Sequence, residues 1–241
     1  MISIVIPVYN SEKILPKLCD LIHKEMKSHE LIYELILVND GSKDNSEDII
    51  KSLSKKYEQV KGVLLKNNVG QQLALLAGLR QAKYHNIVTM DDDLQHHPKD
   101  IIRLISHLDE KSDVVYGVPF NDTGKTYRKL GTHIKEMCFF VFLGKPRNLR
   151  LTSFRVMKKH VLDWVIKDPL PNVYISARIL KYTKKIKNLN INYREREQGK
   201  SNYTFVLLTK KLLKSIWNYK VLYLWYKRRP CTHQYIIKEI V

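Results

Sequence analysis

Four short apolar runs rich in β-branched residues, Ile2–Val8, 35–39, Val60–Leu65 and 86–90, constrain this chain more than any other feature. The first two break into turn residues followed by an amphipathic helical stretch. The third leads through Lys66, Asn67, Asn68, Val69 and Gly70 into a helical pattern over 71–82, after which the fourth run begins. Strands alternating with helices predict an α/β fold, a largely parallel sheet covered on both faces. Ligands of such sheets bind beyond the carboxyl ends of the strands. The residues to inspect are therefore Pro7-Val8-Tyr9-Asn10, Asn39-Asp40-Gly41-Ser42 and Asp91-Asp92-Asp93-Leu94-Gln95. Neither a G-x-G-x-x-G nor a G-x-x-x-x-G-K-[ST] string occurs, which argues against a dinucleotide dehydrogenase or a P-loop nucleotidase.

The charge is divided unevenly. Residues 1–144 hold 19 Lys+Arg and 19 Asp+Glu, and residues 145–241 hold 23 and 5, so the net +18 belongs to the C-terminal part. A field of that sign attracts phosphate on a lipid head group, a membrane surface or a nucleic acid. The start of the chain runs straight into a strand pattern with no secretory signal, so a cytoplasmic protein is expected. Cys19, Cys138 and Cys231 are odd in number and far apart, and read as reduced thiols rather than a disulfide framework. Residues 127–143 read as a helix, and 204–226 as a long helix or a broken pair. In the second stretch Lys210, Lys211, Lys214 and Lys220 interrupt Phe205, Leu208, Leu212, Ile216, Trp217, Tyr223 and Trp225. Such a tail suits either a bilayer interface or packing against the rest of the chain. No run reaches the about 18 apolar residues of a spanning helix.

Three consecutive carboxylates after an apolar strand repel one another, and a hard divalent cation would relieve that repulsion. In an extended chain Asp91 and Asp93 point one way and Asp92 the other, so the pair can share an ion that also takes diphosphate oxygens, with Gln95 as a further oxygen ligand. The competing role is an Asp-rich helix start with Asp93 as cap. His96 and His97 lack a third ligand at metal-binding spacing and are expected at the site entrance. Asp40, ahead of Gly41 and Ser42, is free to accept from a base or ribose, or else caps the following turn.

The strings IPVYNSE, VNDGSKDNS, NNVGQQLALLAGLRQA and TMDDDLQHHP, in that order over residues 1–120, resemble inverting glycosyltransferase family two with the GT-A fold. The likeness is to the polyprenyl-phosphate glycosyltransferase branch, typified by dolichol-phosphate mannose synthase. It resumes at TSFRVM from Thr152 and at REREQGKSNY from Arg194. The resemblance implies a Rossmann-like GT-A catalytic domain over 1–203, its nucleotide-sugar part at 1–120 and its acceptor part at 121–203. Residues 204–241 would form a basic, amphipathic helical tail. It further implies that Pro7, Tyr9, Asn10, Asp40, Gln71, Asp91 and Asp92 lie on the nucleotide side, and that Asp91, Asp93 and Gln95 hold Mg²⁺ or Mn²⁺. Asp93, Arg194 and Arg196 would be catalytic, and Arg128, Ser153, Arg155, Ser201 and Tyr203 would meet the acceptor or its phosphate. An Arg fork binds phosphate oxygens bidentately and Gly199 permits a loop to close, although the R-E-R-E alternation also fits a surface hairpin.

Many relatives carry C-terminal transmembrane helices and a carboxylate base after the acceptor loop. Here the corresponding stretch reads Pro171-Asn172-Val173-Tyr174-Ile175-Ser176-Ala177, with Asp168 the nearest acid. A lipid phosphate is already anionic at neutral pH, whereas a sugar hydroxyl needs a base, so the missing carboxylate favours a phosphate acceptor. The expected activity is transfer of a glycosyl group from a nucleotide-sugar to polyprenyl phosphate, at the inner face of the membrane, with the basic half docked on the bilayer. Transfer to a sugar hydroxyl in surface-polysaccharide assembly, with Asp168 as base, is the alternative. A basic nucleic-acid-binding protein would leave the three carboxylates unexplained. A sugar-phosphate nucleotidyltransferase would carry a Gly-rich N-terminal signature that is absent.

Overall fold

The computed structural model describes residues 1–120, 145–168, 174–192 and 235–241. In chain order the elements are β1 (Ile2–Val8), α1 (Leu15–Ser28), β2 (Tyr33–Asn39), α2 (Ser46–Lys56), β3 (Val60–Leu65), α3 (Gln71–Leu79), β4 (Asn86–Thr89) and α4 (Lys99–Ser106). They continue with β5 (Val114–Pro119), β6 (Arg155–Lys158), α5 (Lys159–Lys167), α6 (Ile175–Tyr182), β7 (Ile186–Ile191) and β8 (Ile237–Ile240). The eight strands form one sheet in the order β7-β5-β6-β4-β1-β2-β3-β8. The run β4-β1-β2-β3 is parallel throughout, and β5 and β7 share its direction; only β6 and β8 oppose it.

Strand residues alternate between two cores. Ile4, Ile6, Val8, Leu35, Leu37 and Leu64 face a layer containing Leu18 and Ile22 of α1, Ile50 of α2 and Leu104 of α4. Val5, Ile36, Val38 and Val63 face the other, built from α3, α5 and α6. Burial on both sides explains why these strands read as continuous apolar runs instead of alternating polar and apolar residues. Helix α3 lies closest to the sheet. A Cβ on Gly78 would fall 2.5 Å from both Val5 Cγ1 and Val38 Cγ2, so glycine is what permits this approach.

The strand boundaries follow the sequence reading closely, β2 beginning two residues earlier and β4 ending one earlier than expected. The helical patterns over 127–143 and 204–226 lie outside the described residues. The expectation of a helical tail running to residue 241 needs correction at its end. Ile237–Ile240 is a strand, antiparallel to β3 through Val63↔Ile240 and Leu64↔Glu239. Paired backbone bonds between Gly62 and Val241, 2.6 and 2.9 Å, close the ladder. The run Tyr-Ile-Ile-Lys-Glu-Ile-Val, rich in β-branched residues, accounts for this. Among the described residues no helix is long and apolar enough to cross a membrane.

Candidate active site

The loops after β1, β2, β3 and β4 all leave the sheet at its carboxyl edge and are laced together there. Asp40, immediately after β2, accepts the backbone amides of Val69 (2.7 Å) and Gly70 (2.9 Å) on its two carboxylate oxygens. Burial pushes its pKa upward against the effect of those two bonds. Gly41 has φ +61°, and a Cβ there would lie 2.6 Å from the nitrogen of Asn68 and 2.7 Å from the carbonyl carbon of Asn67. The β2 and β3 loops therefore touch backbone to backbone. Asn10, at φ +55°, donates its amide to Ser42 Oγ (3.1 Å) and accepts from the Lys43 amide through Oδ1 (2.8 Å), tying the β1 loop to the β2 loop. Asn tolerates this left-handed conformation better than most residues.

The three carboxylates after β4 diverge. Asp91 accepts from Gln71 Nε2 (2.7 Å), on the first turn of α3, and from Ser153 Oγ (2.5 Å), just before β6. Asp92 turns the other way, accepting from Ser11 Oγ (2.5 Å) and the Tyr9 amide (3.3 Å). Burial, and secondarily the neighbouring charges of Asp91 and Asp93, raise its pKa to about 6. Asp92 thus braces the β1 loop that carries Tyr9 and Asn10, which are expected on the nucleotide side with it. Asp93 is largely buried and accepts the Gln95 amide (3.2 Å), with Leu94 between them at φ +57°.

Asp91, Asp93 and Gln95 offer only oxygen donors. Asp91 accepts from Gln71 on Oδ1 and from Ser153 on Oδ2, and each carboxylate oxygen has two lone pairs. Two carboxylates and an amide fit a hard divalent cation whose other positions are taken by phosphate oxygens. No group of three His, Cys, Asp or Glu side chains among the described residues is arranged to hold a metal by itself. His96 is not at the entrance, as its sequence position suggested. It is buried, stacked on Phe154 with ring centroids 4.6 Å apart, and burial lowers its pKa to about 4. His97 accepts the Lys99 amide through Nδ1.

On the acceptor side the outcome is mixed. Ser153 joins the site through Asp91, as described. Arg155, expected at the acceptor phosphate, is only 1% exposed and is engaged inside the sheet by Thr89, Tyr116 and Ser176. The alternation of β6 carries its side chain into the core, so it is no surface ligand. Pro7 lies within β1, buried opposite Val38, while Tyr9 follows in the loop. Arg128, Arg194, Arg196, Ser201 and Tyr203 lie outside the described residues. Asp168 ends α5 with its carboxylate buried against Lys181 Nζ (2.9 Å) and Tyr182 Oη (3.2 Å). Those partners are at the far end of α6 from Ile175, whose amide binds Gln72 beside the site. Sequence reasoning missed Ser11 and the amides of Val69 and Gly70. A glycine directly before a helical pattern was the available signal for the latter pair.

This architecture has solved counterparts. Glucosyl-3-phosphoglycerate synthase from Mycobacterium tuberculosis, determined with Mn²⁺, UDP-glucose and phosphoglyceric acid, superposes with a TM-score of 0.66 at 16% identity, covering 91% of this chain and 79% of that one. Undecaprenyl-phosphate 4-deoxy-4-formamido-L-arabinose transferase of Proteus mirabilis is 31% identical over 208 residues, covering 86% of this chain, and the protein of the same name from Yersinia pestis matches to the same extent. The chain spans 64% of the length of these relatives. The family described as Glycosyl transferase family 2 matches residues 3–167, which include every strand and loop of the site just described. On that match, and on the strand-end carboxylates it encloses, this chain belongs to glycosyl transferase family 2.

Proposed function

We propose that this protein transfers a glycosyl group from a nucleotide-sugar to a polyprenyl phosphate, inverting the anomeric carbon, with a divalent cation in attendance. The observation that carries the proposal is the lacing together of the β1, β2, β3 and β4 loops at the carboxyl edge of the sheet, where Asp40, Asp91 and Asp93 follow their strands. The undecaprenyl-phosphate transferases among its relatives support the lipid acceptor. Peripheral association with the inner membrane face, through the basic C-terminal half, belongs to the same reading.

Asp40 is held in place by two amides and retains lone pairs for the nucleoside. When bound, Mg²⁺ or Mn²⁺ on Asp91, Asp93 and Gln95 neutralises the charge of the departing nucleoside diphosphate. Arg194 and Arg196, with Ser201 and Tyr203, bind donor or acceptor phosphates, and Arg128 serves the acceptor. An oxygen of the lipid phosphate bonds to the anomeric carbon as the bond to the diphosphate breaks, and a single displacement inverts the centre. The acceptor needs no deprotonation, so catalysis rests on placement and charge. The hydroxyl-acceptor alternative has little support from Asp168, whose carboxylate is buried in its ion pair with Lys181.

The test is thermal stability with UDP, GDP, CMP and dTDP, with and without Mn²⁺, for the wild type and Asp93→Asn. A stabilisation by one diphosphate that requires metal and is lost in the variant supports the donor site and names the base. Transfer of labelled sugar to polyprenyl phosphate, with none to saccharide acceptors, then supports the lipid. A folded wild type that responds to no nucleotide overturns the reading.

A further inference from the structure

Arg155 is a fully buried cation whose partners among the described residues are all neutral. Its Nε donates to Thr89 Oγ1 (3.1 Å) and its Nη1 to Ser176 Oγ (2.7 Å) and Tyr116 Oη (3.3 Å), with the guanidinium 5.5 Å from the Tyr116 ring centroid. Thr89, Tyr116 and Ser176 are themselves buried. Desolvating a guanidinium without a carboxylate is costly, and an aliphatic side chain would fill the same space more cheaply. Two of its partners, Thr89 and Ser176, lead on toward Asp91. Thr89 Oγ1 donates onward to the Ser153 carbonyl (2.6 Å), and Ser153 Oγ donates to Asp91 Oδ2 (2.5 Å). Ser176 opens α6, where the neighbouring Ile175 amide donates to Gln72 Oε1 (3.0 Å). The preceding residue, Gln71, donates to Asp91 Oδ1 (2.7 Å). The two branches start from different nitrogens of Arg155 and end on the two oxygens of one carboxylate.

We infer that Arg155 is a positioning residue: from within the core it holds both oxygens of Asp91 in place for a metal-bound diphosphate, through Ser153 on one side and the α3–α6 junction on the other. The inference rests on the donor site proposed above. A side chain that hydrogen-bonds a metal ligand orients it, and loss of such a partner ordinarily lowers metal affinity about 10- to 100-fold; Arg155 holds that partner, Ser153, through Thr89. Nucleoside binding at Asp40 and the β1 loop is built from separate bonds, none of which includes Arg155.

The experiment measures calorimetric affinity for the responsive nucleoside diphosphate, with and without Mn²⁺, in the wild type, Arg155→Met, Arg155→Lys and Ser176→Ala. The expected result is a loss of about tenfold or more in the Mn²⁺-dependent affinity of Arg155→Met, with metal-free affinity within about twofold of wild type. Arg155→Lys recovers part of the loss. Ser176→Ala, which removes one bond and leaves the cation, loses about threefold and keeps the test decisive if Arg155→Met does not fold. Metal-dependent and metal-free affinities falling in parallel would mean a purely structural arginine and overturn the inference, as would unchanged metal-dependent affinity in Ser176→Ala and Arg155→Lys. A wild type without metal-dependent binding overturns the donor-site reading itself and the inference with it.

Discussion

Gly41 leaves no room for a side chain where the β2 and β3 loops meet. Alanine there would adopt an unfavourable φ and press its methyl into the backbone of Asn67 and Asn68, which has no rotamer by which to yield. Gly41→Ala should lower stability by about 2–4 kcal/mol in urea titration and weaken nucleotide binding through the displaced Val69 and Gly70 amides. A change under about 0.5 kcal/mol would show that the loops can separate freely. Asp113 plays a comparable part at the opposite edge of the sheet. Burial raises its pKa, but the Thr183 hydroxyl (2.7 Å), His160 and Lys158, with Lys185 nearby, outweigh burial and hold it below the usual value. A depressed carboxylate stabilises the fold above its unfolded pKa and loses that contribution as pH falls through the folded one. Asp113→Asn should therefore cost about 1–2 kcal/mol near neutrality, with the gap to wild type closing below about pH 4. A gap unchanged into strong acid would assign the loss to packing. The positions of Asp40 and Asp91 beyond β2 and β4 were legible because strand-end carboxylates announce themselves in the sequence. Arg155 was misread because its role depends on which way its side chain turns, and that is decided by Thr89 and Ser176, both distant in sequence.

At the scale of elements, the parallel core and α3 could be read directly, since doubly buried strands give unbroken β-branched runs and α3 follows a glycine. The place of β8 could not, because a four-residue strand that closes an edge takes its meaning from a partner about 170 residues earlier in the chain. Its attachments lead to the donor site. The Ile236 carbonyl accepts the Lys66 amide (3.0 Å) where the β3 loop begins, and Tyr235 accepts from Arg80 Nη1 (2.8 Å) at the end of α3. Lys238 and Glu239 pair with Glu47 and Lys51 of α2. The strand therefore braces both the loop that carries the Asp40-binding amides and the helix that carries Gln71. Tyr235→Phe and Arg80→Ala should each cost about 1–2 kcal/mol and speed amide hydrogen exchange over residues 66–70. Faster exchange confined to residues 235–241 would reduce β8 to an edge cover with no hold on the site.

For the molecule as a whole, the sheet gives direction to the charge. Strand β7 ends at Ile191 on one edge, and Tyr235 precedes β8 on the other, both at the carboxyl face that bears Asp40 and Asp91. Eight strands put these edges about 34 Å apart. The described residues on either side of 193–234, a segment with ten Lys+Arg and two Asp+Glu, thus both stand at the site face. Lys184 and Lys185 stand at the amino end of β7, on the reverse side. If the basic half brings the cleft to an anionic bilayer, the two sets of charges must differ in effect, although they are alike in sign. Each lysine or arginine near such a surface contributes about 1 kcal/mol, so replacing Lys227, Arg228 and Arg229 with alanine should weaken binding to phosphatidylglycerol vesicles at least tenfold. Lys184→Glu with Lys185→Glu should leave it nearly unchanged, and salt should release the wild type from these vesicles. Equal losses in the two variants would mean a diffuse field with no preferred face. Losses only in the second would turn the cleft away from the membrane, where a lipid phosphate could not reach Asp91, and would favour a soluble acceptor.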